Sequence, residues 1–264
     1  MIDISPYAKK SLGQHWLTDE LTLEAMCDYA DINSADTILE IGPGLGTLTE
    51  LLVEKAGKVV AVEFDKTLAK ELPTRVSAAN LEVVSQDILS FDLTKLPKGY
   101  KVVANMPYYL TSNLLRVLSE SANPPEQVAL LVQKEVAQRV AAKPGDMSLL
   151  SVSAQFYWEV SLGVMVPAEL FTPPPKVDSQ ILILKRRAQA LFPDVDTKLY
   201  FRMVKAGYAG RRKTLNNSLS AGLQLSKPEA AELLAAAAIA PNLRAQNLTL
   251  DDWYRLYTVY QDRG

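Results

Sequence analysis

The chain has 264 residues, of which 48% are hydrophobic and 22% charged, a composition typical of a folded protein rather than a disordered or fibrous one. Its single cysteine, Cys27, and single histidine, His15, exclude a disulfide framework, a Cys-based zinc site and a His-rich metal centre. We therefore expect a reducing compartment and no metal. The net charge of −2 argues, by itself, against a nucleic-acid-binding protein.

The N-terminal residues carry no apolar stretch behind their charges, which argues against a secretory signal. No uncharged apolar run reaches the roughly 18 residues of a membrane helix. These features predict a cytoplasmic protein with no membrane association. At about 150 residues per domain, the length predicts one large domain with a small appendage.

Short β-branched runs alternate with helical patterns along the first half of the chain. Nearly continuous apolar runs predict five strands, at residues 37–41, 58–63, 81–85, 101–104 and 128–132. Such runs between helices are typical of a parallel sheet with helices on both faces. Two later runs, at 160–166 and 180–184, lack a convincing helix between them and predict an antiparallel pair at the edge of the sheet.

Only helical signals follow residue 196. They predict helices at 197–206, 214–219, 226–238 and 249–260, with Ser226 as an N-cap and Pro228 near the first turn. We therefore expect an α/β domain over residues 1–190 and a small all-helical domain over residues 191–264.

A glycine-rich segment joins the first predicted strand to the helix after it. In Glu40-Ile-Gly-Pro-Gly-Leu-Gly46, Gly42, Gly44 and Gly46 allow a tight turn and a close approach of a ligand to the backbone. The pattern indicates a nucleotide-like cofactor. A plain strand-to-helix turn is the alternative for a lone glycine loop.

Acidic residues follow the next two strands. Glu63 ends the second strand, where its carboxylate can accept hydrogen bonds from both ribose hydroxyls, and Asp87 follows the third, where it can accept from an adenine amino group while Ile88 packs on the ring. Each acid alone could be a solvated loop residue or a helix cap. Because the carboxyl ends of parallel strands meet at one edge, the set favours an adenosine-containing cofactor.

The choice between NAD and S-adenosylmethionine depends on the fourth strand. The glycine spacing is shorter than the dinucleotide pattern, and Asn105-Met106-Pro107-Tyr108 follows the strand directly. The Asn105 side-chain oxygen and the Met106 carbonyl can hold the two hydrogens of an aromatic amine and so localise its lone pair for methylation. Pro107 stiffens the turn and Tyr108 offers a stacking face. The alternative is an ordinary strand-terminating turn.

These residues and several other segments resemble the ribosomal RNA adenine N6-dimethyltransferase family over nearly the whole chain. The Asn-x-Pro-Tyr turn, the N-terminal segment and the later Phe-x-Pro-x-Pro-Lys-Val-Asp-Ser pattern, in that order, are more specific than the glycine loop. The matching segments lie at residues 9–17, 40–49, 62–63, 86–87, 105–108, 133–139, 171–179 and 211–215.

The resemblance implies a Rossmann-like class I methyltransferase sheet, mostly parallel with an antiparallel edge strand. It implies transfer of methyl groups from S-adenosylmethionine to the N6 amines of two adjacent adenines near the 3′ end of small-subunit (16S) rRNA, in the 30S subunit or its precursor, by a monomer. His15 and Leu17 would border the cofactor, His15 as a wall and not as a base, and Phe171 would pack near the flipped adenine. Trp16, where Phe is usual, and Gln246, where Glu is frequent, depart from the family pattern.

The basic residues are concentrated in the C-terminal part. Residues 188–264 hold 10 basic and 7 acidic residues, a net charge of +3, so the whole-chain charge averages an acidic and a basic part. A run of six basic residues without an acid predicts a surface that follows the RNA backbone, with a solvated helix face as the alternative. The run contains Lys198, Arg202, Lys205, Arg211, Arg212 and Lys213.

Three other functions stay open at this point. They are the related large-subunit rRNA adenine methyltransferase that confers macrolide resistance, a nucleic-acid-binding or ribosome-assembly factor without catalysis, and a dehydrogenase. The run Pro173 to Pro175 could also be a polyproline ligand, although its flanking strand and phenylalanine favour an active-site loop.

Overall fold

A computed structural model of the protein describes residues 14–210 and 212–262. In this part of the chain no helix is long and apolar enough to cross a membrane. The strands and helices, in chain order, are β1 (Trp16–Leu17), α1 (Glu20–Tyr29), β2 (Thr37–Ile41), α2 (Thr47–Lys55), β3 (Lys58–Glu63), α3 (Lys66–Arg75), β4 (Leu81–Ser85), β5 (Lys101–Asn105), α4 (Thr111–Glu120), β6 (Gln127–Gln133), α5 (Lys134–Val140), α6 (Leu149–Tyr157), β7 (Trp158–Val166), β8 (Phe171–Thr172), β9 (Ser179–Arg186), α7 (Thr197–Tyr208), α8 (Leu215–Leu223), α9 (Lys227–Ala236) and α10 (Leu250–Gln261).

The described residues divide into two compact units. The first contains the chain up to Gln138 together with Trp158–Arg186, and the second contains Arg139–Tyr157 together with the chain from Arg187. The segment Arg139–Tyr157, which includes α6, therefore groups with the C-terminal helices, whereas the sequence placed it within residues 1–190. The reason is packing, because Val152 and Phe156 of α6 belong to the apolar core of the helical unit.

The first unit contains a seven-stranded sheet in the order β4-β3-β2-β5-β6-β9-β7. Strands β2 to β6 are parallel to one another, and β9 pairs antiparallel with both β6 and β7. This is the mostly parallel sheet with an antiparallel pair at one side that the sequence predicts. The four central strands are apolar on both faces because helices cover both faces. Their core residues include Ile38, Val59, Val103 and Leu131.

A separate two-stranded sheet, which the sequence analysis missed, joins the start of the described chain to a much later segment. In it, β1 pairs antiparallel with β8, with Trp16 opposite Thr172 and Leu17 opposite Phe171. Two-residue strands leave too little periodicity for a pattern to detect.

The second unit is all-helical, as predicted, and its core is aromatic. Trp253, Tyr200 and Tyr257 are almost completely buried, and Phe156 and Phe192 pack against the same cluster. Helix α9 begins with a capping box, in which the Ser226 hydroxyl accepts from the Glu229 amide and the Glu229 carboxylate accepts from the Ser226 amide. The predicted N-cap is thereby confirmed.

Candidate active site

A cavity of about 290 Å³ opens at the carboxyl edge of the parallel strands in the first unit. This volume is near the lower end of the range for small-molecule sites, about 300 Å³. The cavity lies where open α/β sheets bind ligands. Ten of the residues singled out from the sequence line it: His15, Gly42, Gly44, Glu63, Asp87, Ile88, Asn105, Met106, Pro107 and Tyr108.

The glycine loop lies against an aromatic wall. Gly44 has a left-handed backbone, with φ of +58°, and a Cβ added there would overlap Cζ3 of Trp16 and lie 3.1 Å from its Cε3. The Gly42 amide donates to the Val62 carbonyl at 3.0 Å, which ties the loop to β3. Only glycine fits at Gly44, because both its conformation and the nearby indole exclude a side chain.

Glu63 is held rigidly at the end of β3. Its side chain is only 5% exposed. Its carboxylate accepts from the Gly44 amide at 3.1 Å and from the Asp65 amide at 2.8 Å. Burial raises the pKa of Glu63, and hydrogen bonds from the Asp65, Gly44 and Phe64 amides oppose that shift. Since each carboxylate oxygen has two lone pairs, the three amide donors leave only part of the acceptor capacity of Glu63 for a ligand.

Asp87 and Ile88 follow β4 with different exposures. Asp87 is exposed, and its side chain accepts from the Leu89 amide at 3.0 Å, so it caps a short 3₁₀ turn. Ile88 is 4% exposed and presents an apolar surface to the cavity. The capping role that the sequence left as an alternative for Asp87 is therefore present, together with its position in the cavity wall.

The Asn105 to Tyr108 segment forms the opposite part of the cavity. Asn105 is half-buried, and its side chain makes no hydrogen bond within the described residues. The Tyr108 hydroxyl and the buried Ser179 hydroxyl are 2.6 Å apart. Burial raises the pKa of Tyr108, against a smaller opposing effect of that hydrogen bond. The Asn105 side-chain oxygen, beside the fixed ring of Tyr108, can therefore accept a hydrogen bond from a ligand.

His15, near the start of the described chain, stacks its ring on that of Tyr108. Its Nδ1 donates to the Pro173 carbonyl at 2.7 Å, and its ring is nearly parallel to that of Tyr108, with the centroids 6.2 Å apart. His15 therefore lines the cavity with its ring held in place, and its role as a wall of the cofactor site stays a prediction.

Leu17 and Phe171 are not among the residues that line the cavity. They lie opposite each other in the small sheet, are 1% and 2% exposed, and belong to the apolar core under β2 and α2. The Phe171 side chain therefore lies in the apolar core, and not at the cavity where the sequence places it near a flipped base. The apolar pairing of two short strands buries both residues.

Glu40 is a buried acid whose role the sequence analysis missed. It is 1% exposed, and its Oε2 accepts from the Thr49 hydroxyl at 2.7 Å. Its Oε1 is buried with no partner among the described residues. Burial raises the pKa of Glu40 to about 8, and the Glu63 carboxylate adds to the shift. The only signal in the sequence is a charged residue within the apolar run Thr37–Ile41.

Five of the six predicted RNA-binding residues are in the described part of the second unit, and all five are exposed. Lys198, Arg202 and Lys205 are spaced so that they share one face of α7. Arg212 and Lys213 precede α8. Within the residues that the structure describes, none of the five forms an ion pair. Arg211 lies outside the described residues.

The parallel sheet with its antiparallel pair, and a cavity joining a glycine loop, Glu63 and an Asn-Met-Pro-Tyr turn, define a Rossmann-like methyltransferase. The sequence matches the family described as "Ribosomal RNA adenine dimethylase" over residues 6–262. The chain belongs to this ribosomal RNA adenine dimethylase family.

Individual relatives agree in length and fold. Proteins named "Ribosomal RNA small subunit methyltransferase A" are similar, at 41% identity in Dehalococcoides mccartyi (97% of this chain, 89% of the relative) and 40% in Streptococcus equi subsp. zooepidemicus (97% and 93%). A solved dimethyladenosine transferase from Plasmodium falciparum has a TM-score of 0.82 at 25% identity, covering 95% of this chain and 98% of its own. The solved 23S rRNA methyltransferase ErmE has a TM-score of 0.75 at 28% identity, covering 93% and 99%.

Proposed function

We propose that this protein uses S-adenosylmethionine to dimethylate the N6 amines of two adjacent adenines near the 3′ end of small-subunit rRNA, during maturation of the subunit. The observation that carries the proposal is the single cavity that joins Glu63 to the Asn105-Met-Pro-Tyr turn. Family membership and the small-subunit names of the relatives support it.

The cavity residues fit an adenosine-bearing cofactor. Gly44 presents backbone without a side chain to the cavity, and the Glu63 carboxylate, which also lines it, would accept from the ribose hydroxyls. Asp87 would accept from the adenine amine while Ile88 packs on the ring. When bound, S-adenosylmethionine supplies a methyl group on a positively charged sulfur. Leu17 and Phe171 would act from behind the cavity wall, as the buried pair of the small sheet that carries Trp16.

The Asn105 to Tyr108 turn would hold the target amine. The Asn105 side-chain oxygen and the Met106 carbonyl would accept its two hydrogens, which turns the nitrogen lone pair away from the ring. Pro107 fixes the turn and Tyr108 offers its face for stacking. Unstacking a base costs a few kcal/mol, and stacking on an aromatic returns about 1–3 kcal/mol. Alignment of the amine supplies much of the rate in this scheme.

The helical domain at 191–264 would bind the RNA backbone through Lys198, Arg202, Lys205 and residues 211–213. The five of these residues that the structure describes, all except Arg211, are exposed and form no ion pair among the described residues, which supports this role. We further propose that the protein acts in the cytoplasm on the 30S subunit or its precursor, because the names of its relatives refer to small-subunit rRNA. We propose that it does so as a monomer.

Replacement of Asn105 tests the transfer step. We expect Asn105→Ala to abolish methylation of small-subunit particles while S-adenosylmethionine affinity, measured by calorimetry, stays within a few-fold. Glu63→Ala should mainly weaken cofactor binding. Asn242→Ala, an exposed asparagine of the second unit, is the matched control and should have no effect. Full activity in Asn105→Ala would refute the assigned mechanism.

The similarity to ErmE makes large-subunit rRNA the second candidate substrate. Labelled-methyl incorporation into isolated small-subunit particles and into large-subunit rRNA, with mass spectrometry of the products, separates the two. We expect dimethyladenosine only in the small-subunit RNA. Failure to bind S-adenosylmethionine would instead favour a factor that keeps the fold without catalysis.

Salt dependence tests the RNA surface. Replacing Lys198, Arg202 and Lys205 together with Ala should weaken RNA binding and reduce the slope of log K against log salt by roughly 2–3, at about 0.7–0.9 per lost phosphate contact. A variant lacking the exposed Lys70, Lys95 and Lys98 of the first unit loses the same charge and controls for it. Equal slopes in the two variants would contradict the assigned surface.

A further inference from the structure

Tyr109 is an aromatic residue at the edge of the cavity that has no role in the scheme above. Its side chain lines the cavity and yet is 65% exposed. Within residues 14–210 and 212–262, its hydroxyl has no hydrogen-bond partner and its ring contacts no other ring. An aromatic surface held open beside a ligand cavity is a typical feature of a binding site.

The backbone under Tyr109 is fixed, so its ring projects from a rigid support. Tyr108–Leu110 form a 3₁₀ turn directly before α4. The Leu110 amide donates to the Pro107 carbonyl at 3.1 Å, and the Thr111 hydroxyl donates to the Tyr108 carbonyl at 2.9 Å. With three residues per turn, consecutive side chains diverge by about 120°. Tyr108, held by its hydroxyl, and Tyr109 therefore present their rings in different directions.

The position of Tyr109 assigns it to the target side of the cavity. It follows β5 by four residues, and Asn105 ends that strand. Glu63 and Asp87 come from β3 and β4, which lie beyond β2 in the sheet. The exposed Phe64 directly follows Glu63 of β3 and lines the side of the cavity that we propose for the adenosine.

We propose that Tyr109 is a stacking platform for the nucleotide adjacent to the adenine being methylated. This inference rests on the proposed function, because it requires an RNA base on Tyr108. A base that leaves its stack exposes one face of its neighbour, and the open ring of Tyr109 covers that face. Such stacking tolerates any base. Its cost in side-chain entropy is small, because a tyrosine has only two side-chain torsions to fix. Two adjacent target adenines could then exchange places without a second recognition site.

An abasic substrate tests the stacking directly. Small-subunit particles are reconstituted with RNA that keeps one target adenine and has either a normal or an abasic neighbour. On normal RNA, Tyr109→Ala should lower kcat/KM by about 5- to 150-fold, the range for loss of one stacked base, and Tyr109→Phe should lose less. On abasic RNA, wild type and Tyr109→Ala should be equal. Leu21→Ala, which removes another exposed apolar side chain away from the cavity, should match wild type on both.

Two results would overturn the assignment. An equal loss for Tyr109→Ala on normal and abasic RNA would show that the ring does not contact the neighbouring base. A tenfold or larger loss of S-adenosylmethionine affinity in Tyr109→Ala would make it a wall of the cofactor site. If the wild type methylates no small-subunit RNA, the proposed function fails instead. Tyr109 is then tested separately by the Kd values of wild type and Tyr109→Ala for the normal and the abasic RNA. Equal weakening of binding to the two RNAs by Tyr109→Ala again refutes stacking.

Discussion

Glu40 makes a pH-dependent contribution to stability that can be isolated by one substitution. Its carboxyl has a pKa of about 8 in the folded protein and an ordinary value of 4.5. The folded state therefore keeps a proton that the unfolded chain releases. The stabilisation from this proton is fully present below pH 4.5 and is lost as the pH rises through about 8. Glu40→Gln keeps an acceptor for Thr49 and removes the titration.

The size of the effect follows from the two pKa values. Between pH 5.5 and 8.5, a shift from 4.5 to about 8 corresponds to a loss of about 3 kcal/mol from the free energy of unfolding of the wild type. The other titrating groups are shared with Glu40→Gln and cancel in the difference, except for the smaller contribution of Glu63, whose carboxylate interacts with that of Glu40. Between pH 5.5 and 8.5, the free energy of unfolding of Glu40→Gln should therefore rise by about 3 kcal/mol relative to that of the wild type.

Cys27 provides an assay confined to the first unit. It is the single cysteine, is 1% exposed and belongs to the core that contains β2 and α2. Pulse labelling of its thiol in increasing urea measures unfolding of this core at each pH, and comparison of the two proteins at equal pH removes the pH dependence of the labelling reaction. Glu54→Gln, at an exposed position of α2, is the control and should follow the wild type. Parallel pH profiles for wild type and Glu40→Gln would refute a protonated, buried Glu40.

Three further predictions concern packing and the site. Gly44→Ala should lower S-adenosylmethionine affinity at least tenfold by calorimetry, because its φ is +58° and an added Cβ overlaps Trp16. Tyr108→Phe and Ser179→Ala break the same 2.6 Å hydrogen bond, so each should lower kcat by about 2- to 12-fold and the double variant no further than either. Leu52→Ala, at a fully buried core position, should lower the free energy of unfolding by about 2–5 kcal/mol in urea titrations.

Each of these has a contrary outcome. Unchanged cofactor affinity in Gly44→Ala would show that the loop moves away from the indole. Additive losses in the Tyr108 and Ser179 variants would show that the two hydroxyls act independently. A cost below 1 kcal/mol for Leu52→Ala would mean that the core closes over the missing side chain.

Much of the fold could be predicted because its signals are local. The strands Thr37–Ile41, Lys58–Glu63 and Leu81–Ser85 have the bounds that their apolar runs predict, and the Ser226 cap is where the residue type indicates. The cavity could be foreseen because parallel strands end at one edge, which brings Glu63 and Asn105 to the same crevice.

The tertiary structure alone decided which side chains support the site and which face the core. The hydroxyls of Tyr108 and Ser179 form a hydrogen bond although the two residues are 71 positions apart in the sequence. Trp16 packs against Gly44 because its two-residue strand pairs with β8. Phe171 turns to the core because its strand pairs with β1. The sequence determined the chemical groups and the elements that carry them, since spacing and residue type act locally. Burial, partners and the pKa of a group such as Glu40 depend on long-range packing, which no local pattern records.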